Sequence, residues 1–329
     1  MVRKYPNILF VNMDALTYAG NLHNLTPIEK ASNYRFEHVN ITDAVAVNRV
    51  FQTYSPDTIV HFAAESHVDR SITEPTAFVH TNVLGTLVLL QAAKTLWSDC
   101  GIDGLFHHVS TDEVFGALGE TGVFTNDSPY APRSPYAASK ASADHVVRSF
   151  GTTYGFPYII TNTSNNYGPF QFPEKLIPLV LNNARLKKPI PIYGKGENVR
   201  DWLFVEDHCD ALEQVLFKGK VGATYLIGGS NELSNIDLVM SLLDLFDDEM
   251  GNASGTSRDL ITYVEDRKGH DFRYAIDSSA TEAELGWMPK HSLKDGMSRT
   301  VRWYIENQEW LTNVLTDAYQ SYYSKQYDR

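Results

Sequence analysis

The sequence predicts an α/β fold in which a parallel sheet is wound by helices on both faces. Three observations carry this. Short apolar runs alternate with longer helical patterns from residue 8 to about residue 165. The first run, Ile8–Val11, is apolar throughout rather than alternating, as a strand buried on both faces requires. Polar groups able to do chemistry (Asp14, Glu65, residues 110–113 and 162–166) follow the carboxyl ends of predicted strands, where open α/β sheets bind ligands.

Residues 8–14 read as the first strand, ending in an acid, and 34–39 as the second. A helical pattern over 43–54 stops before Pro56, and 58–64 is again a strand. Residues 77–96 form a long helix, 105–110 a strand, 135–154 a helix opened by Pro135, and 158–161 a strand. After residue 166 prolines become frequent and the alternation weakens. A domain of residues 1–165 is expected, with a return segment at about 204–228, followed by a smaller mixed α/β domain over 166–329.

A chain of 329 residues, 43% hydrophobic, can bury a full core. The formal net charge of −12 argues against a general nucleic-acid binder, which shows a basic face. Two cysteines, Cys100 and Cys209, are too few for a disulfide framework and point to a reducing compartment. The longest uninterrupted apolar stretch, around residues 84–90, is far below a membrane span of ~18 residues. A cytoplasmic protein, bound to neither membrane nor nucleic acid, is expected. The pairs His107–His108 and His208–Cys209 match no zinc spacing, so no metal site is expected. The aromatic tail, residues 310–327, is expected to pack on the surface.

The chemistry concentrates in residues 109–140. Ser110 and Thr111 end a strand and are followed at once by Asp112 and Glu113. Tyr136 and Lys140 lie four apart after a proline, hence on one face of a helix. A phenol beside an ammonium is a good proton acceptor, because the positive charge favours the phenolate. Two adjoining acids can serve as acid and base if their surroundings separate their pKa values. Each feature has a plainer alternative: Asp14 as a turn or helix cap, Asp112–Glu113 as a solvated acidic turn, and Arg200, Arg267 and Lys175 as surface ion pairs. As ligand groups, those three cations would neutralise a pyrophosphate.

Together these residues resemble the dTDP-glucose 4,6-dehydratases, an extended branch of the short-chain dehydrogenase/reductase superfamily. The resemblance runs along nearly the whole chain. It is carried by residues 14–21, 61–72, 81–86, 110–114, 136–140, 164–169, 172–178, 200–202 and 269–274. It implies a Rossmann-like sheet, NAD as cofactor, dTDP-glucose as substrate, and a homodimer formed through helices 77–96 and 135–154. It further implies that Tyr136, with Thr111 and Lys140, takes the C4 hydroxyl proton. Glu113 would take the C5 proton, and Asp112 would protonate the departing C6 hydroxyl. The implied NAD contacts are Asp14, Thr17, Ile41, Ala63, Ala64, Thr81, Tyr136, Lys140 and Asn165. The implied substrate contacts are Ser66, Thr111, Asn166, Lys175, Leu176, Arg200, Asn235, Arg267 and Tyr274.

One departure is large. Relatives open with a strand and a glycine-rich turn that holds the NAD pyrophosphate, and no such turn precedes Asp14. The expected sheet therefore lacks its first strand, exposes the neighbouring edges, and binds NAD poorly. Smaller departures are Asn40, often Asp in relatives, and Ala15, often Lys. Three other readings stay open: a UDP-glucose 4,6-dehydratase, a UDP-sugar 4-epimerase, and an inactive nucleotide-sugar-binding relative. An epimerase has no use for Asp112–Glu113, since it eliminates no water.

Overall fold

The computed structural model describes residues 1–315 together with 319, 323, 324, 326 and 327. The chain opens with strand β1 (Phe10–Asp14), which pairs in parallel with β2 (Tyr34–His38). Helix α1 (Ala44–Tyr54) starts where the Asp43 carboxylate accepts from the Val45 and Ala46 N–H groups, each at 3.0 Å. Strand β3 (Thr58–His61) is shorter than predicted, because Phe62–Ala64 already form the loop at its end.

Helices α2 (Val68–Thr73) and α3 (Pro75–Phe78) lead into a π-helical turn, Val79–Gly85, and then into α4 (Thr86–Cys100). The helix expected over 77–96 is thus a composite of three pieces. Pro75–Cys100 as a whole is 26 residues, long and apolar enough to cross a membrane. A search for uninterrupted apolar residues misses it, because His80, Thr81, Asn82, Gln91 and Lys94 break the run. Leu89, Leu90, Ala93 and Trp97 of α4 are buried against the sheet in the protein core.

Strand β4 (Leu105–Thr111) and a short 3-10 turn (Asp112–Phe115) are followed by helix α5 (Pro135–Tyr154). Its start is fixed by the Ser134 hydroxyl, which accepts from the Ala137 N–H at 3.0 Å, and by Pro135 in the first turn. Gly155, at φ 63°, ends it. Then come β5 (Tyr158–Thr163), β6 (Asn165–Tyr167), α6 (Leu176–Leu186), β7 (Ile190–Tyr193), β8 (Val199–Phe204), α7 (Val205–Lys218), β9 (Thr224–Ile227) and β10 (Glu232–Ser234). Helix α8 (Asn235–Met250), β11 (Ile261–Val264), α9 (Ser279–Leu285), α10 (Leu293–Glu306) and α11 (Gln308–Val314) complete the order.

The parallel architecture is as expected, but it is divided. Strands β3, β4, β5 and β9 form one all-parallel sheet in the order β3-β4-β5-β9. Strands β1 and β2 stand apart as a second parallel sheet. Between β1 and β3 lies a cavity of ≈430 Å³ lined by Val11–Asp14 on one side and Thr58–His61 on the other. The Phe10 N–H and the Asp14 carbonyl bond to the β2 side, so Val11 and Met13 turn their backbone groups toward this cavity. The Asp57 carbonyl bonds toward β4, so Thr58 and Val60 face it from the other side.

The return segment reaches the sheet only through β9. Strand β8 instead pairs with β6 in parallel and β10 antiparallel, and β7 pairs with β11. An apolar core centred on Tyr167, Ile177, Trp202, Leu242 and Val301 lies in this later part of the chain. A separate core, including Val47, Leu90, Phe106 and Ile160, packs the earlier sheet. In the tail, Trp310 and Tyr319 are buried, the latter ring 5.8 Å from Phe172. They pack inward rather than on the surface; residues 316–318, 320–322 and 325 of that stretch lie outside the described residues.

Candidate active site

The carboxyl end of β4 delivers Ser110 and Thr111 into the interior, with only 4% and 8% of their surface exposed. The Thr111 hydroxyl caps the 3-10 turn by accepting from the Glu113 N–H at 3.2 Å. The turn points Asp112 and Glu113 in different directions. Asp112 is 1% exposed, and its Oδ2 has no hydrogen-bond partner. Glu113 is half-buried and opens into a cavity of ≈180 Å³. Gly116 closes the turn at φ 92°, where a Cβ would come within 2.5 Å of the Ala131 carbonyl oxygen.

Surroundings separate the two acids. Burial, then the Glu113 and Asp201 charges, push the Asp112 pKa well above the usual carboxyl range. Glu113 is raised by burial but pulled back by Arg200, Lys175 and Arg267. Asp112 is therefore the group that holds a proton, and Glu113 the one closer to ionising. A buried carboxyl oxygen without a partner is costly in a merely structural turn, so the solvated-turn alternative fails here.

Tyr136 and Lys140 sit one turn apart on α5, both buried. The expected pull of Lys140 on the phenol is not direct, because Lys140 Nζ donates to the Val109 carbonyl at 2.8 Å. Burial and the Glu113 charge push the Tyr136 pKa up, and the Thr111 hydroxyl pulls it down. Burial lowers Lys140 to about 8, against the opposing charge of Asp144.

The cavity beside Glu113 gathers seven of the expected substrate residues: Ser66, Lys175, Leu176, Arg200, Asn235, Arg267 and Tyr274. Thr111 and Asn166 are not in its wall. Asn166 turns inward, donating to Thr163 Oγ1 at 3.2 Å and the Ser164 carbonyl at 3.1 Å, whereas Asn165, expected at NAD, lines this cavity. Arg200 is 7% exposed and lies over the Tyr274 ring at 4.3 Å. Arg267 forms a two-pronged pair with Asp69, at 2.6 and 3.0 Å. Lys175 donates to the Ser66 carbonyl at 2.9 Å. These cations are parts of one pocket rather than scattered surface pairs.

The other cavity, between β1 and β3, has Asp14, Thr17, Ile41, Ala63, Ala64 and Thr81 in its wall. Asp14 also fills the plainer turn role, accepting from the Leu16 N–H at 2.6 Å. Ala63 and Ala64 leave the β3 end open to close approach, and the exposed Asp14 carboxylate can accept from ribose hydroxyls. This donor set suits an adenosine ribose; Tyr136 and Lys140 lie outside this wall.

Several residues of the first cavity escaped sequence reasoning: His67, Asp69, Glu174 and Tyr193. His67, Asp69 and Glu174 lie inside the motifs at 61–72 and 172–178, and the motifs were the available signal. Tyr193 had none. Glu174 joins the two cavities: it accepts from Tyr18 Oη and from Arg70 Nε, each at 3.1 Å, and the Arg70 guanidinium covers the Tyr18 ring at 3.7 Å.

Known proteins resemble this chain in sequence and in fold. The profile of the family described as GDP-mannose 4,6 dehydratase matches residues 1–300. The dTDP-glucose 4,6-dehydratase of Salmonella typhimurium is 51% identical over 331 residues, covering 97% of this chain and 91% of that one. The crystal structure of DesIV, a dTDP-glucose 4,6-dehydratase from Streptomyces venezuelae with NAD and TYD bound, superposes with a TM-score of 0.86 at 46% identity, covering 93% of this chain and 90% of that one. The Bacillus anthracis dTDP-glucose 4,6-dehydratase in complex with NAD gives 0.84 at 43% identity, covering 95% and 93%. With half its residues shared along almost its whole length, the chain belongs to the dTDP-glucose 4,6-dehydratases, within the wider 4,6-dehydratase family that the profile describes.

Proposed function

We propose that this protein is an NAD-dependent hydro-lyase that converts dTDP-glucose to dTDP-4-keto-6-deoxyglucose and water. The observation that carries the reading is the adjacent Asp112–Glu113 pair, placed in unlike surroundings beside Thr111 and Tyr136. An epimerase needs no such pair.

Held by the wall that includes Asp14, Thr17, Ile41, Ala63, Ala64 and Thr81, a nicotinamide cofactor would supply reversible hydride acceptance. The protein's own groups handle the protons. Tyr136, whose phenol is eased toward ionisation by the Thr111 hydroxyl, takes the C4 hydroxyl proton. The 4-keto group acidifies the C5 proton, and Glu113, which opens into the cavity, removes it. Asp112, the group that keeps its proton, donates it to the departing C6 hydroxyl. Lys175, Arg200 and Arg267 suit a pyrophosphate, and the Asp14 edge suits the adenosine ribose of NAD.

The remaining assignments are part of the same reading. Residues 166–329 form the sugar-nucleotide part and 1–165, with β9, the NAD part; the two separate apolar cores support this division. The helices α4 and α5 pair two copies into a homodimer, and the protein works in the cytoplasm.

Incubating the protein with NAD and dTDP-glucose, and following the nucleotide sugar by mass spectrometry and NMR, tests this. Loss of one water with a new 4-keto group is expected. A product of unchanged mass with inverted C4 would favour an epimerase, and tight binding without turnover an inactive relative. UDP-glucose run in parallel decides the base. The NAD content of the purified chain decides whether the cavity between β1 and β3 holds the cofactor.

A further inference from the structure

One buried acid plays no part in this chemistry. Asp144 lies on α5, one turn beyond Lys140 and two beyond Tyr136, and is fully buried. Four side chains converge on it. Its Oδ2 accepts from Ser110 Oγ at 2.9 Å, from Tyr130 Oη at 2.8 Å and from Asn162 Nδ2 at 3.3 Å. Its Oδ1 lies 3.2 Å from His108 Nε2, at an angle that makes no hydrogen bond. The donors are themselves fixed: Asn162 also donates to the Thr111 carbonyl at 3.0 Å, and Arg148 donates to Tyr130 Oη at 3.3 Å.

Lys140 is the nearby cation that needs an anion. Its ammonium is buried and, among the described residues, donates only to a neutral carbonyl, that of Val109. The titratable groups facing it from packed strands are His61 on β3 and His108 on β4. Both are fully buried and held neutral, His108 at about 4, so neither supplies a negative charge. From its own helix it faces Tyr136, also uncharged at rest, and Asp144. Residues four apart on a helix are ~5–6 Å apart at Cβ, close enough for strong interaction in a dry interior. A buried ion without a compensating charge tends to neutralise.

We propose that Asp144 is a positioning residue, the buried counter-charge that keeps Lys140 an ammonium behind Tyr136. Ser110, Tyr130 and Asn162 hold the carboxylate ionised by donating to it, and the α5 turn sets its distance from Lys140. Through Asn162 and Ser110 the same carboxylate ties the end of β4 to α5, so the charge and the Thr111 backbone are set together.

The inference rests on the proposed dehydratase activity for its kinetic test, and a second test is independent of activity. In the first, Asp144→Asn keeps the side-chain shape and removes the charge. The alkaline limb of the turnover profile, where the Lys140 ammonium is lost, should move to lower pH by about one unit, with KM little changed. Tyr130→Phe, which removes one donor and leaves the charge, should keep the limb within a few tenths of a unit. A folded Asp144→Asn protein whose limb stays in place overturns the proposal.

The second test is a denaturant double-mutant cycle on Lys140→Met, Asp144→Asn and the double variant. Lys140→Met strands a buried carboxylate, so adding Asp144→Asn should recover about tenfold or more in the unfolding constant relative to independent effects. Additive effects overturn the proposal. If the parent protein shows no dehydratase turnover, the functional reading fails while the cycle still decides the Lys140–Asp144 coupling.

Discussion

Strands β4 and β1 belong to the same parallel architecture but are built differently. Five of the seven residues of β4 are buried, and the strand is paired along both edges. None of the five residues of β1 is buried, and one of its edges faces a cavity. The proposed catalytic groups stand at the end of β4, the proposed cofactor wall along β1. Shifting the pKa of Asp112 or Lys140 requires water to be excluded before any ligand arrives, so the catalytic edge must be core. A wall that only accepts hydrogen bonds from a ribose can stay open and gain its burial from the ligand.

The sharpest break between the two edges should be kinetic. Tyr136→Phe or Glu113→Gln should lower turnover by about 10³-fold while leaving NAD content unchanged. Glu113→Gln should also stop exchange of the C5 hydrogen with solvent, and Asp112→Asn should slow water loss more than C4 oxidation. Rapid-quench measurement of each step checks this, and normal turnover in both acid variants would falsify the role assignment.

Next in size is the packing contrast. Ile160→Ala, fully buried on β5, should cost ~3 kcal/mol in denaturant unfolding, and Val11→Ala, half-buried on β1, under ~1 kcal/mol. Equal costs would mean that the β1 edge is as tightly packed as the core.

A smaller effect is expected at the cofactor wall. Asp14→Ala should weaken NAD binding about tenfold, the value of one or two lost hydrogen bonds, without changing turnover at saturating NAD. Titration calorimetry separates that from a change in kcat.

The smallest effect is on stability and has a definite sign. Asp112 has a folded-state pKa above its ordinary 3.8, so the folded protein binds this proton more tightly than the unfolded chain. Its contribution to stability is full below that ordinary value and is lost as pH rises toward the folded value. Asp112→Asn should therefore raise Tm by about 2 °C at pH 8, and the gain should vanish near pH 4. A Tm difference that does not depend on pH would mean that Asp112 is ionised in the folded protein.

What could be read in the sequence follows the range of the forces involved. Helix α5 was legible to the residue, because Ser134, Pro135 and Gly155 are local signals that fix both ends. The acid pair was legible because adjacency needs no fold. The composite nature of Pro75–Cys100 was not, since a π turn leaves the helical periodicity almost intact. The pairing of β6 with β8 and of β7 with β11 was hidden by sequence distance, as was the Asp69–Arg267 pair, 198 positions apart. Which of Asn165 and Asn166 meets the first cavity was hidden for a similar reason: in a strand, neighbouring side chains point to opposite faces, and a one-residue difference decides it.

The contact of Tyr18, Glu174 and Arg70 has a thermodynamic consequence. Tyr18 lies in the loop after β1 that helps form the proposed cofactor wall, and Glu174 precedes Lys175 in the proposed substrate wall. A ligand that orders one loop lowers the entropy that the other ligand must still remove, and such coupling is reciprocal. Whatever factor NAD lends to nucleotide-sugar affinity, the sugar nucleotide must lend back to NAD. In a cycle that ends with the cofactor in its starting oxidation state, that reciprocity holds NAD most tightly while a reaction is under way, when escape of the reduced cofactor would strand an oxidised 4-keto sugar with no hydride to return.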